Sequence, residues 1–148
     1  MTTCLKNLLE RNIFDSYKIV AGHNDLNQNI TGVSILETPD FEKYIIDGTL
    51  ILTTFYIINK NIKLFKNLVY TLSKYNSPGI VINLYRYIDE IPVEIIKLAN
   101  DYHIPILVLE YDANLSLIFN AIYAEIQSYD YLEHNFHSKF VECLSLIE

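Results

Sequence analysis

The residues of this sequence best suited to binding chemistry are His23, Glu37, Thr53 and Thr54, which lie at or just after the ends of short apolar runs. A carboxylate accepts hydrogen bonds, a threonine hydroxyl donates and accepts them, and an imidazole does either near neutral pH. Together these groups could orient a small polar ligand. The competing interpretation is that the threonines are ordinary strand residues and that Glu37 is a helix cap or a loop charge.

The sequence motifs of the common catalytic and cofactor sites are missing. There is no GxSxG motif, and Cys4 and Cys143 lie in terminal segments with helical spacing. No CxxC or HExxH motif is present, and the scattered glycines never form GxGxxG or GxxxxGK[ST]. We therefore expect no catalytic residue, no metal and no cofactor, and we interpret the chain as a protein that is not an enzyme.

Length and composition indicate one ordinary domain with a substantial core. The chain has 148 residues, is 51% hydrophobic and carries a net charge of -7. Because an acidic surface repels a phosphate backbone, we expect no direct contact with nucleic acid. Lys6, Glu10 and Arg11 interrupt any apolar signal sequence, no apolar run approaches membrane-spanning length, and two unclustered thiols suit a reducing compartment. These features predict a cytoplasmic protein without a membrane segment.

Apolar runs with strand character alternate with segments of helical periodicity. The predicted strands are Tyr17–Ala21, Ile30–Leu36 with a possible bulge at Gly32, Leu50–Phe55, Ile80–Leu84 and Ile104–Leu109. The predicted helices are Cys4–Ile13, Pro39–Asp47, Asn61–Tyr75 and Ile91–Tyr102. Such alternation favours an α/β fold with a mainly parallel sheet flanked by helices.

In a parallel α/β sheet, ligands bind beyond the carboxyl ends of the strands. In this interpretation seven residues fall at those ends: Gly22, His23, Glu37, Thr53, Thr54, Tyr85 and Glu110. We therefore expect a small-molecule effector to bind at this edge, with His23, Glu37, Thr53 and Thr54 as its contacts.

The segment from Leu115 onward contains no proline or glycine and predicts a long C-terminal helix of about 34 residues. Its second half is too long for a domain of this size to cover, so its apolar stripe needs a partner. We expect a homodimer through Tyr129, Leu132, Phe136, Phe140 and Leu144. The alternatives are a helix folded back onto the body and a break near Ser128.

Three blocks of the sequence carry short motifs in a fixed order: the turn Tyr17–Gly22, the segment Ile30–Asp40 with its Glu-x-Pro-Asp-like turn, and Asp47–Thr54 with its Leu-Thr-Thr run. Taken in this order, they resemble the N-terminal domain of PucR-like (purine catabolism regulator-like) proteins. Weaker similarities follow at Gly79–Ile82, Ile91–Ala99 and Ile104–Ile106, and the resemblance covers about Leu5 to Ile126. Phe55 departs from the family pattern, in which glycine usually follows the two threonines.

The resemblance implies a sensory or regulatory domain of a bacterial transcription regulator, of purine or related nitrogen catabolism. In full-length members such a domain is joined to a C-terminal helix-turn-helix, which this sequence lacks. We accordingly divide the chain into a regulatory domain, residues 1–126, and a connector or dimerisation segment, residues 127–148. The alternatives are a stand-alone protein-interaction module and a small enzyme that uses Glu37, His23 and the threonines.

Overall fold

The computed structural model describes residues 3–54, 61–83 and 91–128. In chain order the elements are β1 (Thr3–Cys4), α1 (Leu5–Glu10), β2 (Tyr17–Ala21), β3 (Asn29–Ile30), β4 (Gly32–Ile35), a 3₁₀ turn (Phe41–Lys43), β5 (Thr49–Thr53), α2 (Ile62–Lys74), β6 (Ile80–Asn83), α3 (Val93–Asp101) and β7 (Ile106–Leu109). Residues 115–128 are also helical and are called α4 below.

Five strands form the main sheet, in the order β2-β7-β6-β5-β4. The ladders β4–β5, β5–β6 and β6–β7 are parallel, whereas β2 pairs with β7 antiparallel at one edge. β1 and β3 pair antiparallel as a separate two-stranded ribbon. The sequence-based prediction of an α/β fold with a mainly parallel sheet flanked by helices is therefore confirmed.

The three central strands, β5, β6 and β7, are buried along their whole length because helices cover both faces of the sheet. Ile51, Ile80, Ile82, Ile106 and Val108 belong to the core cluster that contains the buried residues of α2 and α3. Their neighbours on the opposite face, namely Leu50, Leu52, Val81, Leu107 and Leu109, pack with the residues of α1 and α4. An ion pair between Arg11 and Glu125, with 3.0 Å between nitrogen and oxygen, also joins the chain just after α1 to α4.

The predicted helix Pro39–Asp47 is wrong, because only the single turn Phe41–Lys43 forms. The hydroxyl of Thr38 accepts a hydrogen bond from the backbone N–H of Asp40, at 3.3 Å, whereas no side chain caps the 3₁₀ turn itself. A helix of about two turns forms few hydrogen bonds beyond its unfavourable first turn, so its own backbone bonds stabilise it little. Burial of Phe41 and Ile45 in the core determines the path of this segment instead.

The predicted strand Ile30–Leu36 is divided at Thr31, which lies between β3 and β4. The backbone N–H of Thr31 donates to the carbonyl of Gly48 at 2.9 Å, and its hydroxyl donates to the carbonyl of Asp47 at 2.8 Å. These bonds let the chain change partner from β1 to β5. Gly32 begins β4 opposite Thr49, where the sequence had suggested a bulge.

Helical structure from Leu115 agrees with the predicted C-terminal helix as far as residue 128. The five residues predicted to form a dimer interface, Tyr129, Leu132, Phe136, Phe140 and Leu144, lie outside the described residues, so that interface stays a prediction. The division at residues 126 and 127 also stays a prediction. Within the described ranges, no helix combines the length and hydropathy needed to cross a membrane.

Candidate functional site

A cleft of about 520 Å³ opens at the carboxyl ends of β4, β5 and β6, beside the amino end of α4. Its walls are formed by Ile35, Glu37, Thr54, Asn83, Asp112, Ala113, Asn114, Leu115 and Ser116. Open α/β sheets bind ligands at this position, and small-molecule pockets have volumes of roughly 300–1,000 Å³. The cleft is therefore the candidate ligand site of the described structure.

The carboxylate of Glu37 is fixed by the end of the neighbouring strand. Its Oε1 accepts a hydrogen bond from the backbone N–H of Thr54 at 2.8 Å, and both of its oxygens lie within 2.9 Å of the Thr54 hydroxyl. The hydroxyl of Thr53 lies 3.4 Å from Oε1. The structure thus brings together three of the four predicted ligand contacts. Glu37 and Thr54 line the cleft, whereas Thr53 is buried behind them.

Asn83 is a member of the site that the sequence-based prediction missed. It ends β6 with only 7% of its surface exposed, and its side-chain amide donates to the carbonyl of Ala113 at 3.1 Å. This bond ties the end of a central strand to the loop that leads into α4. The available signal was a polar residue near the end of the otherwise apolar run Ile80–Leu84, at the depth where ligands bind in such sheets.

The amino end of α4 forms one wall of the cleft. The side-chain oxygen of Asn114 accepts a hydrogen bond from the backbone N–H of Leu117 at 3.2 Å, which is a helix cap. Ser116 lies in the first turn and is exposed to the cleft. Because the buried face of α4 packs against the sheet, a ligand in the cleft would touch both the strand ends and the start of this helix.

His23 does not lie with the other three predicted contacts, and its expected placement is wrong. β2 runs antiparallel to β7, and Ala21 pairs with Ile106 at the start of that strand. The end of β2 therefore lies at the amino edge of the sheet, opposite the cleft. Of the three other residues that the sequence placed at strand ends, Gly22 lies with His23 at the amino edge. Glu110 is exposed and is not among the cleft-lining residues, and Tyr85 lies outside the described residues.

A second cavity, of about 340 Å³, shares Asp112 and Asn114 with the cleft. The hydroxyl of Tyr111 lies in its wall, 3.5 Å from the backbone N–H of Asp15. Burial raises the pKa of Tyr111 above 10.0, and the charge of Asp15 adds to the increase although the Asp15 backbone hydrogen bond opposes it. Tyr111 thus remains a neutral hydroxyl near physiological pH.

The described walls of the cleft offer hydrogen-bonding groups beside apolar surface. Among the described residues no group of three His, Cys, Asp or Glu side chains is arranged to hold a metal ion. The polar walls consist of carboxylates, amides and hydroxyls, and Ile35, Ala113 and Leu115 provide apolar surface beside them. Such a mixture of apolar surface and a few fixed polar groups is typical of small-molecule sites.

A family model and a sequence relative identify the same protein family. Residues 7–126 match the model of the purine catabolism regulatory protein-like family (PucR). Over 113 residues the sequence is 28% identical to the purine catabolism regulatory protein of Bacillus subtilis (strain 168). That alignment covers 76% of this chain but only 21% of the relative, so the chain spans about a fifth of that protein's length.

A solved structure shows a more distant likeness. It contains the CBS and DRTGG domains of the regulatory region of Clostridium perfringens pyrophosphatase, in complex with the activator diadenosine tetraphosphate. The TM-score is 0.47 at 14% sequence identity, over 74% of this chain and 45% of that one.

Proposed function

The chain belongs to the purine catabolism regulatory protein-like family, and from this membership we propose that it is the sensory domain of a bacterial transcription regulator. The signal is a small molecule of purine or related nitrogen catabolism, and it binds in the cleft at the carboxyl edge of the sheet. The observation that carries this proposal is the cleft itself, in which Glu37, Thr54 and Asn83 lie beside the amino end of α4.

The proposed mechanism is a shift between two arrangements of α4 relative to the sheet. A ligand changes such an equilibrium only if it binds one arrangement more tightly than the other. The hydrogen bond from Asn83 to the carbonyl of Ala113 connects the cleft to α4, because it joins a strand end to the loop before this helix. An effector that contacts both sides would favour the arrangement in which that bond is intact.

We propose further that the domain does not catalyse a reaction and does not itself contact DNA. Family membership supports the first statement, and the net charge of -7 supports the second because it opposes approach to a phosphate backbone. DNA would then be bound by another part of the regulator. A cytoplasmic location fits this role.

Homodimer formation through residues 127–148 is part of the same proposal. Sedimentation or light scattering of the intact chain should give a dimer, and removal of the residues after Gln127 should give a monomer. A monomeric intact chain at tens of micromolar would count against the dimer.

A thermal-shift screen with purines and their breakdown products tests the effector site. A compound present at 100 times its Kd stabilises the domain by about 2.7 kcal/mol, which raises Tm by roughly 5 to 10 °C. Ser116→Arg would fill the cleft and remove the shift. Asn120→Arg is the matched control, because it places the same side chain one turn later on α4, at an exposed residue that lines neither cavity.

Two results would contradict the proposal. A shift that persists in Ser116→Arg would place the ligand elsewhere. If no compound shifts Tm while the intact chain is a dimer, the chain is better described as a protein-interaction module.

A further inference from the structure

We infer that the acidic segment 129–148 of one copy docks on the outer face of α2 and α3 of a second copy. This inference rests on the proposed function, since it specifies what the segment contacts in the proposed homodimer. Two features of different parts of the chain carry it. One is a basic and aromatic surface on α2 and α3, and the other is the acidic and apolar composition of residues 129–148.

The outer face of α2 is positively charged, although the whole chain has a net charge of -7. This helix contains Lys63, Lys66 and Lys74 and no acidic residue, and α2 and α3 together carry four lysines and two carboxylates. Lys66 pairs with Glu94 of α3 at 3.1 Å. None of the ion pairs in the described part of the chain includes Lys63 or Lys74. Such a face attracts a segment of opposite charge.

Apolar surface is exposed on the same pair of helices. The rings of Tyr70 and Tyr102 meet edge to face with their centroids 5.2 Å apart, and the two residues are 45% and 43% exposed. Tyr70 lies one turn after Lys66 and one turn before Lys74, so these three side chains follow one stripe of α2. A rigid ring buries a large area at a small entropic cost, and tyrosine is therefore a frequent anchor of protein interfaces.

Residues 129–148 have the complementary composition. They contain one base, Lys139, and four carboxylates, namely Asp130, Glu133, Glu142 and Glu148. The apolar stripe predicted for the dimer interface runs through the same segment. At 1.5 Å per residue, a helix of this length spans about 30 Å, whereas the 13 residues of α2 span about 20 Å. The segment is therefore long enough to cover the whole of α2.

The docked segment belongs to a second copy because α4 lies on the other side of the sheet. The buried residues of α4 pack on one face, and those of α2 and α3 pack on the opposite face. To reach its own α2, the chain would have to reverse around an edge of the sheet after residue 128. From Leu115 onward the sequence has no proline or glycine, the residues that most strongly interrupt a helix. In a twofold dimer the contact forms twice, once on each copy.

Carbodiimide coupling, which joins a lysine amine to a carboxylate in direct contact, tests the inference on the intact chain. Equal amounts of ¹⁵N-labelled and unlabelled chain are unfolded together in urea, refolded and coupled, and the digest is analysed by mass spectrometry. We expect peptides that contain Lys63, Lys66 or Lys74 joined to peptides of residues 129–148, with one labelled and one unlabelled member. Joined peptides that always carry a single label would assign the contact to the chain's own segment and overturn the inference.

Tyr70→Ala removes the exposed ring between the two lysines. It should raise the dissociation constant of the dimer on the order of tenfold, which corresponds to about 1.4 kcal/mol. Tyr123→Ala is the matched control, because Tyr123 is 49% exposed on α4 and its ring likewise contacts one neighbour, Phe119. We expect this control to change the constant by less than about twofold. Sedimentation equilibrium measures both constants, and the Tm of each variant confirms that the fold is retained.

Reversal of two charges tests the electrostatic part of the contact. The double variant Lys63→Glu, Lys74→Glu should raise the dissociation constant by about tenfold or more, since it replaces attraction to the acidic segment with repulsion. The double variant Lys6→Glu, Lys18→Glu makes the same change in net charge at exposed lysines of α1 and β2. It should have a clearly smaller effect.

Equal effects of the two double variants, or a larger effect of Tyr123→Ala than of Tyr70→Ala, would overturn the inference. Either result would leave the proposed dimer intact, because truncation after Gln127 tests that dimer separately. A monomeric intact chain would contradict both the dimer and its docking surface. The thermal-shift screen with Ser116→Arg decides the effector site independently of all three results.

Discussion

The two edges of the main sheet are built differently. At the carboxyl edge, Glu37, Thr54 and Asn83 surround an open cleft of about 520 Å³. At the amino edge, the chain closes tightly around Pro105, whose backbone is approached from two sides by Gly22 and Gly79. The described cavities both lie at the carboxyl side, next to the loop that leads into α4.

The amino edge is closed by hydrogen bonds between residues that are distant in sequence. The carbonyl of Pro105 accepts from the N–H of Ile80 at 2.9 Å, and the N–H of Gly22 donates to the side chain of Asn100 at 2.8 Å. The two edges of the sheet therefore differ in how they are built. One edge fixes the register of the sheet through steric fit, and the other forms an open cleft with polar groups in its walls.

Replacement of Gly22 by alanine should have the largest effect of any test of this comparison. Gly22 has a φ of +68°, and a Cβ there would lie 2.5 Å from the Cα of Pro105, which is backbone and cannot move aside. We expect Gly22→Ala to lower the free energy of unfolding by about 3 kcal/mol or more. Urea denaturation followed by circular dichroism measures the loss.

Gly32→Ala is the control for that substitution. Gly32 lies in β4 without a positive φ, and a Cβ there would meet only the hydroxyl of Thr49, at 3.7 Å. Its effect should stay below about 1 kcal/mol in either direction. Equal losses for the two variants would mean that close packing at Pro105 is not what distinguishes the amino edge.

Removal of one hydroxyl at each edge should give the next largest difference in the free energy of unfolding. Ser77 is buried near the amino edge, where its hydroxyl donates to the carbonyl of Thr49 at 2.7 Å and accepts from the N–H of Gly79 at 3.2 Å. Ser77→Ala leaves buried backbone groups without this partner and should cost about 2 kcal/mol. Thr54→Ala, at the half-exposed carboxyl edge, should cost less than about 1 kcal/mol because water can replace the lost bond.

The same pair should give the reverse order for binding. Thr54→Ala releases the carboxylate of Glu37 and should weaken binding of a compound identified in the thermal-shift screen, whereas Ser77→Ala should not affect it. Denaturation and titration with that compound on the same samples give both readings. If Thr54→Ala proves the more destabilising of the two, the carboxyl edge has a structural role and the comparison fails.

The difference between the two edges also explains which parts of the fold and of the candidate site could be predicted from the sequence. Continuous apolar runs identify buried strands, and a parallel order places Glu37 beside Thr53 and Thr54, because consecutive strand ends meet at one edge. The direction of an edge strand is not encoded in its own residues, so His23 was assigned to the wrong edge. Asn83 was missed because its partner, the carbonyl of Ala113, comes from a loop thirty residues away.

The smallest effect we predict concerns Tyr111, which follows β7 at the carboxyl side. Burial raises the pKa of this hydroxyl above 10.0, so folding favours its neutral form. Its contribution is therefore complete below pH 10 and is lost as the pH rises through the higher pKa of the folded state. Tyr111→Phe should make the fall in stability above pH 10 less steep and should leave the slope between pH 7 and 8 unchanged. Urea denaturation across this range measures both slopes.

Equal alkaline slopes for the two proteins would show that folding does not favour the neutral hydroxyl. A confirmed difference would mean that stability at the carboxyl edge depends in part on a titratable group, whereas at the amino edge it depends on steric fit around Pro105.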